Sequence, residues 1–270
     1  MIVRFFIRLT SIPFFKRLLW PIIYNFLARR LPESDWQFMN YGFSLLPDSP
    51  EQPLSLGPEY EFQRYPLQMY HYLAMMGPID NKHVLEVGSG RGGGANYLYK
   101  FHNPASYTGI DCSNVAVDFS RKHFKGEHLH FEVGDAEQLP FEDEKFNILI
   151  NIESSRHYGS FPNFLKEVQR VLKPGGRLLL ADLRMTDEIA SFRKMLKISD
   201  MTLISEEEIT RNVLASLDKF HQTYHAQIKE QIPRYFRRYF AEFSAVKGTS
   251  VYADFQKRKR QYFRIILEKN

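Results

Sequence analysis

Four polar side chains stand where a chain alternating strands and helices would bring them together: Glu86, Asp111, Asp135 and Asn151. Each lies within or just past a short apolar run, and ligands of open α/β sheets bind outside the carboxyl ends of such runs. The first belongs to Val84-Leu85-Glu86-Val87, which leads into Gly88-Ser89-Gly90-Arg91-Gly92-Gly93-Gly94. Glycine admits positive φ and lets a ligand approach without a Cβ in the way. A helix starting there points its free N–H groups and positive end into the same space. A nucleotide-like ligand is therefore expected. Gly88-x-Gly90-x-x-Gly93 satisfies the dinucleotide fingerprint. Glu86 argues against that ligand, because an acid at that depth would repel a pyrophosphate and suits a cation. Asp111, 21 residues beyond Gly90, is spaced to accept hydrogen bonds from both ribose hydroxyls. Asp135 can accept from an adenine amino group while Ala136 offers a backbone N–H to a ring nitrogen; its bland alternative is a helix N-cap.

The elements that must position these groups follow from the apolar pattern. Val84–Val87 is a strand and Asn96–Phe101 a helix, with Leu67–Met76 a helix before them that stops at Gly77-Pro78. Tyr107–Asp111, Leu129–Val133, Phe146–Asn151 and Arg177–Asp182 read as further strands. Helices are expected over Asn114–His123, started by Ser113, and Phe161–Leu172, stopped by Lys173-Pro174-Gly175-Gly176. The almost wholly apolar run from Phe146 suits a central parallel strand buried on both faces. Right-handed crossovers would set the loops after Val87, Ile110, Val133 and Ile150 along one edge. The order of strands does not follow from the sequence. Residues 186–248 read as a mostly helical insertion capping an acceptor pocket, with Ser205-Glu206-Glu207-Glu208 as a helix start carrying a capping box.

Charge and composition narrow the partners. Arg4, Arg8, Lys16, Arg17, Arg29 and Arg30 precede the first acid, Glu33, and outweigh the whole net charge of +5, so the remainder offers no basic nucleic-acid face. The arm 1–31 mixes these cations with aromatic and aliphatic residues. Its longest uncharged run, Leu18–Ala28, is broken by Pro21 and falls short of the roughly 20 residues a membrane span needs. A cleaved signal peptide is not expected, since Arg8 interrupts the apolar region. The arm reads either as an interfacial segment on anionic lipid or as a helix packed on the domain or a partner. Residues 32–66 are rich in proline, glycine, serine and acid and read as an extended connection. Within it, Phe38-Met39-Asn40-Tyr41-Gly42-Phe43 is either packing or a flap over the ligand, with Tyr41 its candidate contact. The remainder, 67–270, is then one domain. The single cysteine, Cys112, excludes an internal disulfide, and a reducing cytoplasm is expected, with peripheral membrane contact through the arm. No metal-ligand spacing is present and no metal is inferred.

Taken in order, Val84-Leu85-Glu86-Val87-Gly88-Ser89-Gly90, the acid at Asp111, Gly134-Asp135-Ala136-Glu137-Gln138-Leu139-Pro140-Phe141 and Val171-Leu172-Lys173-Pro174-Gly175-Gly176 resemble the motifs of class I S-adenosylmethionine-dependent methyltransferases. That resemblance implies an α/β, Rossmann-like seven-stranded sheet with its last strand antiparallel, for which Tyr262–Leu267 is the candidate. It implies S-adenosylmethionine as cofactor, bound by Glu86, Gly88, Ser89, Gly90, Asp111, Cys112, Asp135, Ala136 and Asn151. Arg91-Gly92-Gly93-Gly94-Ala95, Asn103 to Gly109 and Ala181-Asp182-Leu183-Arg184 are similar to the phthiotriolone/phenolphthiocerol lipid O-methyltransferases. The acceptor implied is a hydroxyl on a hydrophobic lipid or polyketide.

Methyl transfer from a sulfonium is an in-line displacement in which alignment supplies much of the rate. A hydroxyl acceptor must also lose its proton. His157 is the candidate base, because it follows the central strand and histidine as a residue type titrates near neutrality. Glu153 would orient it, or would stabilise a carbocation if carbon were methylated; Tyr158 is a weaker alternative. The rival readings are a C-methyltransferase of an isoprenoid or sterol-like lipid and a catalytically inactive lipid-binding or scaffold protein. Asn151-Ile152-Glu153-Ser154 lacks the prolines of the base-amine methyltransferase motif, so nucleic acid is not the expected substrate.

Overall fold

The computed structural model describes residues 37–232 and 234–270; the arm 1–31 and its interfacial reading lie outside them. Among the described residues two helices, α1 (Pro58–Glu61) and α2 (Arg64–Met75), precede the first strand, β1 (His83–Val87). The chain continues through α3 (Gly93–Phe101), β2 (Ser106–Asp111), α4 (Asn114–His123), β3 (Leu129–Val133), β4 (Phe146–Ile152), α5 (Phe161–Val171) and the long β5 (Leu172–Met185). It ends through α6 (Ile189–Lys197), β6 (Met201–Glu208), α7 (Thr210–Gln231), α8 (Arg234–Phe243), α9 (Ser250–Gln256) and β7 (Arg260–Lys269). The extended reading of 32–66 therefore stops short of its end, since α1 and the first turn of α2 fall inside it. Ser113 caps α4 as expected, its side chain accepting from the Ala116 N–H.

The strands form one sheet in the order β3-β2-β1-β4-β5-β7-β6. Neighbours from β3 to β5 are parallel, and β7 runs against both β5 and β6. Strand order reverses at β1 and β4, so the crevice above that pair is where an open sheet takes its ligand. Register aligns the edge: Val87 lies opposite Ile110, Asp111 opposite Val133, and Glu86 opposite Ile150.

A period of two along each strand makes two cores. Val84, Ile148, Ile150 and Ile152 pack on one side with Leu67 and Leu73 of α2 and Leu98 of α3. Leu85, Val87 and Leu149 face the other side, under Phe164, Leu165 and Val168 of α5. Each fully buried Leu, Ile or Phe contributes about 1.5–3 kcal/mol, so the two layers fix the sheet edge that carries the polar residues.

The insertion 186–248 is not helical throughout. Ser205–Glu208 is the second half of β6, paired along β7 with Glu207 opposite Arg264. Each glutamate of the apparent capping box meets an arginine instead: Glu206 with Arg193, Glu207 with Arg264 and Glu208 with Arg258. Ion pairs that keep one partner in solvent, as each of these does, are worth about 0–1 kcal/mol apiece. Backbone pairing outweighs them, because without β6 a row of β7 N–H and C=O groups would lack partners. Helix begins only at Thr210, whose Oγ1 accepts from the Tyr262 N–H. Among the described residues no helix is long and apolar enough to cross a membrane.

Candidate active site

At the end of β1 the chain turns sharply, and the N–H groups of Gly88 and Ser89 both donate to the Ile110 carbonyl, at 2.8 and 3.0 Å. Gly88 has φ +79°, and a Cβ there would fall 2.3 Å from Ser154 Oγ. Gly90, at φ +53°, faces open space, with Met39 Sδ at 4.0 Å the nearest atom to a built Cβ. Asp111 locks this turn to β2: Oδ2 accepts from the Gly90 N–H at 2.8 Å and Oδ1 from the Ser113 N–H at 2.9 Å. Burial lifts its carboxyl above the usual range, and those two bonds pull it back. Asp135 begins a turn rather than a helix, its Oδ1 accepting from the Glu137 N–H at 2.9 Å.

A cavity of about 380 Å³ opens over this edge. It brings together Gly88, Ser89, Gly90, Asp111, Cys112, Asp135 and Ala136 on one side and Glu153, His157 and Tyr158 on the other. Glu86, Asn151 and Tyr41 are not on its walls. Strand alternation turns Glu86 onto the α2 face, where it is fully buried and accepts from the Tyr70 and Tyr107 hydroxyls at 2.8 and 2.9 Å. Its carboxyl is pushed up to about 7 by burial, against the opposing pull of the two hydroxyls. Asn151 is turned to the opposite face and braces the loops, its Nδ2 donating to the Val87 carbonyl and the Tyr158 hydroxyl at 2.9 and 2.8 Å. Tyr41 is buried with its ring edge-on to Phe255. Its segment nevertheless forms the roof, since Gln37, Phe38, Met39 and Asn40 line the cavity.

The far wall is built on the loop after β4. Glu153 takes a left-handed conformation, φ +53°, and is 7% exposed. Its Oε1 accepts from the Tyr41 N–H at 2.7 Å and the Tyr262 hydroxyl at 3.0 Å, while Oε2 is buried without a hydrogen-bond partner. Burial pushes the carboxyl up to about 7, even though the Arg156 guanidinium, 3.9 Å from Oε2, opposes the rise. Glu153 does not reach His157 directly. Arg156 stands between them, its Nε donating to His157 Nε2 at 2.8 Å. The imidazole lone pair is thus directed at a guanidinium. Tyr158 is tied at 2.8 Å to Ser154 Oγ, and burial holds its phenol well above the usual range.

Sequence reasoning passed over Tyr70, Arg156 and Phe243, which line the cavity, and Tyr262, which grips Glu153. Arg156 was visible as a cation inside the loop after β4. The others reach the site from helices and from the last strand, and no local spacing marks them.

Residues 85–180 match the family described as "Methyltransferase domain". A fatty-acid O-methyltransferase of Mycolicibacterium smegmatis is 37% identical over 198 residues, 73% of this chain and 71% of that protein. Phthiotriol/phenolphthiotriol dimycocerosates methyltransferase 1 of Mycobacterium ulcerans is 36% identical over 251 residues, 93% of this chain and 90% of its own. The chain belongs to the class I S-adenosylmethionine-dependent methyltransferases. The fold of this methyltransferase is shared with geranyl diphosphate C-methyltransferase from Streptomyces coelicolor A3(2), at a TM-score of 0.64 and 15% identity, covering 92% of this chain and 98% of that one.

S-adenosylmethionine is the methyltransferase's cofactor, and the residues present fit it. Gly90 leaves room for a ligand to lie against the backbone, and Asp111 presents a fixed carboxylate beside that room. Ser89 Oγ, on the same wall, is buried without a hydrogen-bond partner, a state that folded proteins rarely leave uncompensated.

Proposed function

We propose that this methyltransferase O-methylates a hydroxyl on a hydrophobic, lipid-like acceptor, with Glu153 taking the hydroxyl proton. The observation that carries this reading is the Glu153 carboxyl: buried, on the cavity wall, with no hydrogen bond at Oε2, and pushed up to about 7 by burial. A general base works best when its pKa lies near the working pH. The relatives above are named for a fatty acid and for phthiotriols, and the roof residues Phe38 and Met39, with Phe243 of α8, offer apolar walls to such a chain.

Bound S-adenosylmethionine supplies a preformed electrophile, its sulfonium methyl. The protein's work is to align it, exclude water and move one proton. We assign Asp111 to the ribose hydroxyls, Asp135 and the Ala136 N–H to adenine, and the Gly88–Gly90 backbone with Ser89 and Cys112 to the rest of the donor. Glu86 supports that wall through Tyr70, and Asn151 through Tyr158. His157 holds the Arg156 guanidinium in place beside Glu153. Incubation with ¹³C-methyl donor and a long-chain alcohol should give a methoxy carbon by NMR; label on carbon, or none on lipid, overturns the reading.

The basic, aromatic arm 1–31 would hold the enzyme at an anionic lipid surface, where such acceptors reside. Deleting it should abolish sedimentation with anionic vesicles while leaving S-adenosylhomocysteine binding intact. Vesicle binding that survives the deletion removes the arm as anchor.

A further inference from the structure

Ala181-Asp182-Leu183-Arg184 closes β5 beside the loop that carries Glu153, and it does not line the cavity. Asp182 is 3% exposed and Arg184 8%. Their side chains form an ion pair at 3.2 Å. Asp182 Oδ2 also accepts from Ser155 Oγ at 2.5 Å and from the Arg156 N–H at 3.0 Å. Arg184 Nη2 donates to the same Ser155 Oγ at 2.7 Å. The guanidinium is itself held by two rings, its carbon 5.3 Å from the centre of Phe161 on α5 and 4.2 Å from that of Phe192 on α6.

We propose that Asp182 and Arg184 are positioning residues, which clamp Ser155 and Arg156 and so hold the left-handed turn that aims Glu153 into the cavity. The inference rests on Glu153 being the base. A buried ion pair is a poor device for stability, since apolar residues of like volume often do as well. Its placement has a local use instead. Glu153 departs from the backbone region a side chain prefers, and such a departure persists only where its surroundings over-determine it. The backbone on the strand side supplies one tether, the Glu153 N–H donating to the Ala181 carbonyl at 2.8 Å. The Asp182 carboxylate supplies the other, two residues along the loop, at Ser155 and Arg156.

The clamp also acts through charge. The groups facing Glu153 are the Tyr41 N–H, the Tyr41, Tyr70 and Tyr262 hydroxyls, Arg156 and Asp182, with Arg184 behind Asp182. Asp182 is the anion among them and helps to raise the Glu153 carboxyl, after burial itself. Removing its charge also leaves Arg184 unbalanced, and both changes favour ionised Glu153.

The test is Asp182→Asn in the full chain, with S-adenosylmethionine and a long-chain alcohol. Expected are unchanged S-adenosylhomocysteine affinity and acceptor KM, and kcat lower by about 10–100-fold. The ascending limb of the pH profile should move to lower pH. ¹³C-carboxyl NMR of Glu153 should show the same downward move without any turnover. A carboxyl midpoint that stays put overturns the proposal, as does wild-type kcat. Should Asp182→Asn fail to fold, Ser155→Ala removes the neutral link and keeps both charges. That variant should lose kcat with the limb unmoved, and full turnover overturns the clamp. Glu153→Gln with full turnover would instead sink the base assignment, leaving the Asp182→Asn carboxyl shift to stand or fall alone.

Discussion

Replacing Glu153 by Gln should lower turnover by roughly 10²–10⁴-fold, the range a positioned general base commands. Gln keeps the shape and can still accept from the Tyr41 N–H and the Tyr262 hydroxyl, so the loop should hold its conformation. Affinity for S-adenosylhomocysteine should be unchanged. The sign of the pH dependence follows from the carboxyl itself. Protonated below its midpoint near 7, Glu153 cannot take a proton, so wild-type kcat/KM should rise with pH through that value. The Gln variant should lose this limb. His157→Ala is expected to cost much less, because the imidazole is bonded to Arg156. If His157→Ala proved as severe, and Glu153→Gln mild, the base would be the imidazole.

The second large effect is at the donor side. Asp111→Ala should weaken S-adenosylhomocysteine binding by about 100-fold, equivalent to about 2.7 kcal/mol, measured by calorimetry. Hydrogen bonds to a charged group are each worth roughly 1.5–3 kcal/mol, and the ribose is expected to make two. Part of the loss arises within the protein, since the Gly90 and Ser113 N–H groups would be left without their acceptor. Asp111→Asn, which keeps acceptor capacity without the charge, should fall between. Unchanged affinity in the alanine variant would remove Asp111 from the ribose site.

The glycine turn after β1 and the acid that ends β2 were the legible part of the sequence, because their signals are local. A glycine burst after an apolar run, and an acid ending the next strand, both report on their own turn, and Gly90 and Asp111 meet there. Asn151 and Glu86 were expected at the same rim, but strand alternation points them to opposite faces, toward partners on other elements. Ser205–Glu208 misled for a related reason. Four residues that look like a helix start are held in a sheet by backbone pairing with β7, which is far from them in sequence. The same holds for Glu153, whose environment depends on Tyr41 and Tyr262. Strand order is likewise a matter of long-range pairing, and no window of the chain contains it.

The two groups that grip Glu153 Oε1 come from opposite ends of the described chain, 112 residues before it and 109 after. The segment 85–180, which bears the family signature, holds the residues assigned to the donor and neither of these two. A chimera that exchanged the two flanks and kept the middle would leave Glu153 in place and replace both groups that hold its carboxyl, so the aim and protonation of that carboxyl can change without a change in the family signature.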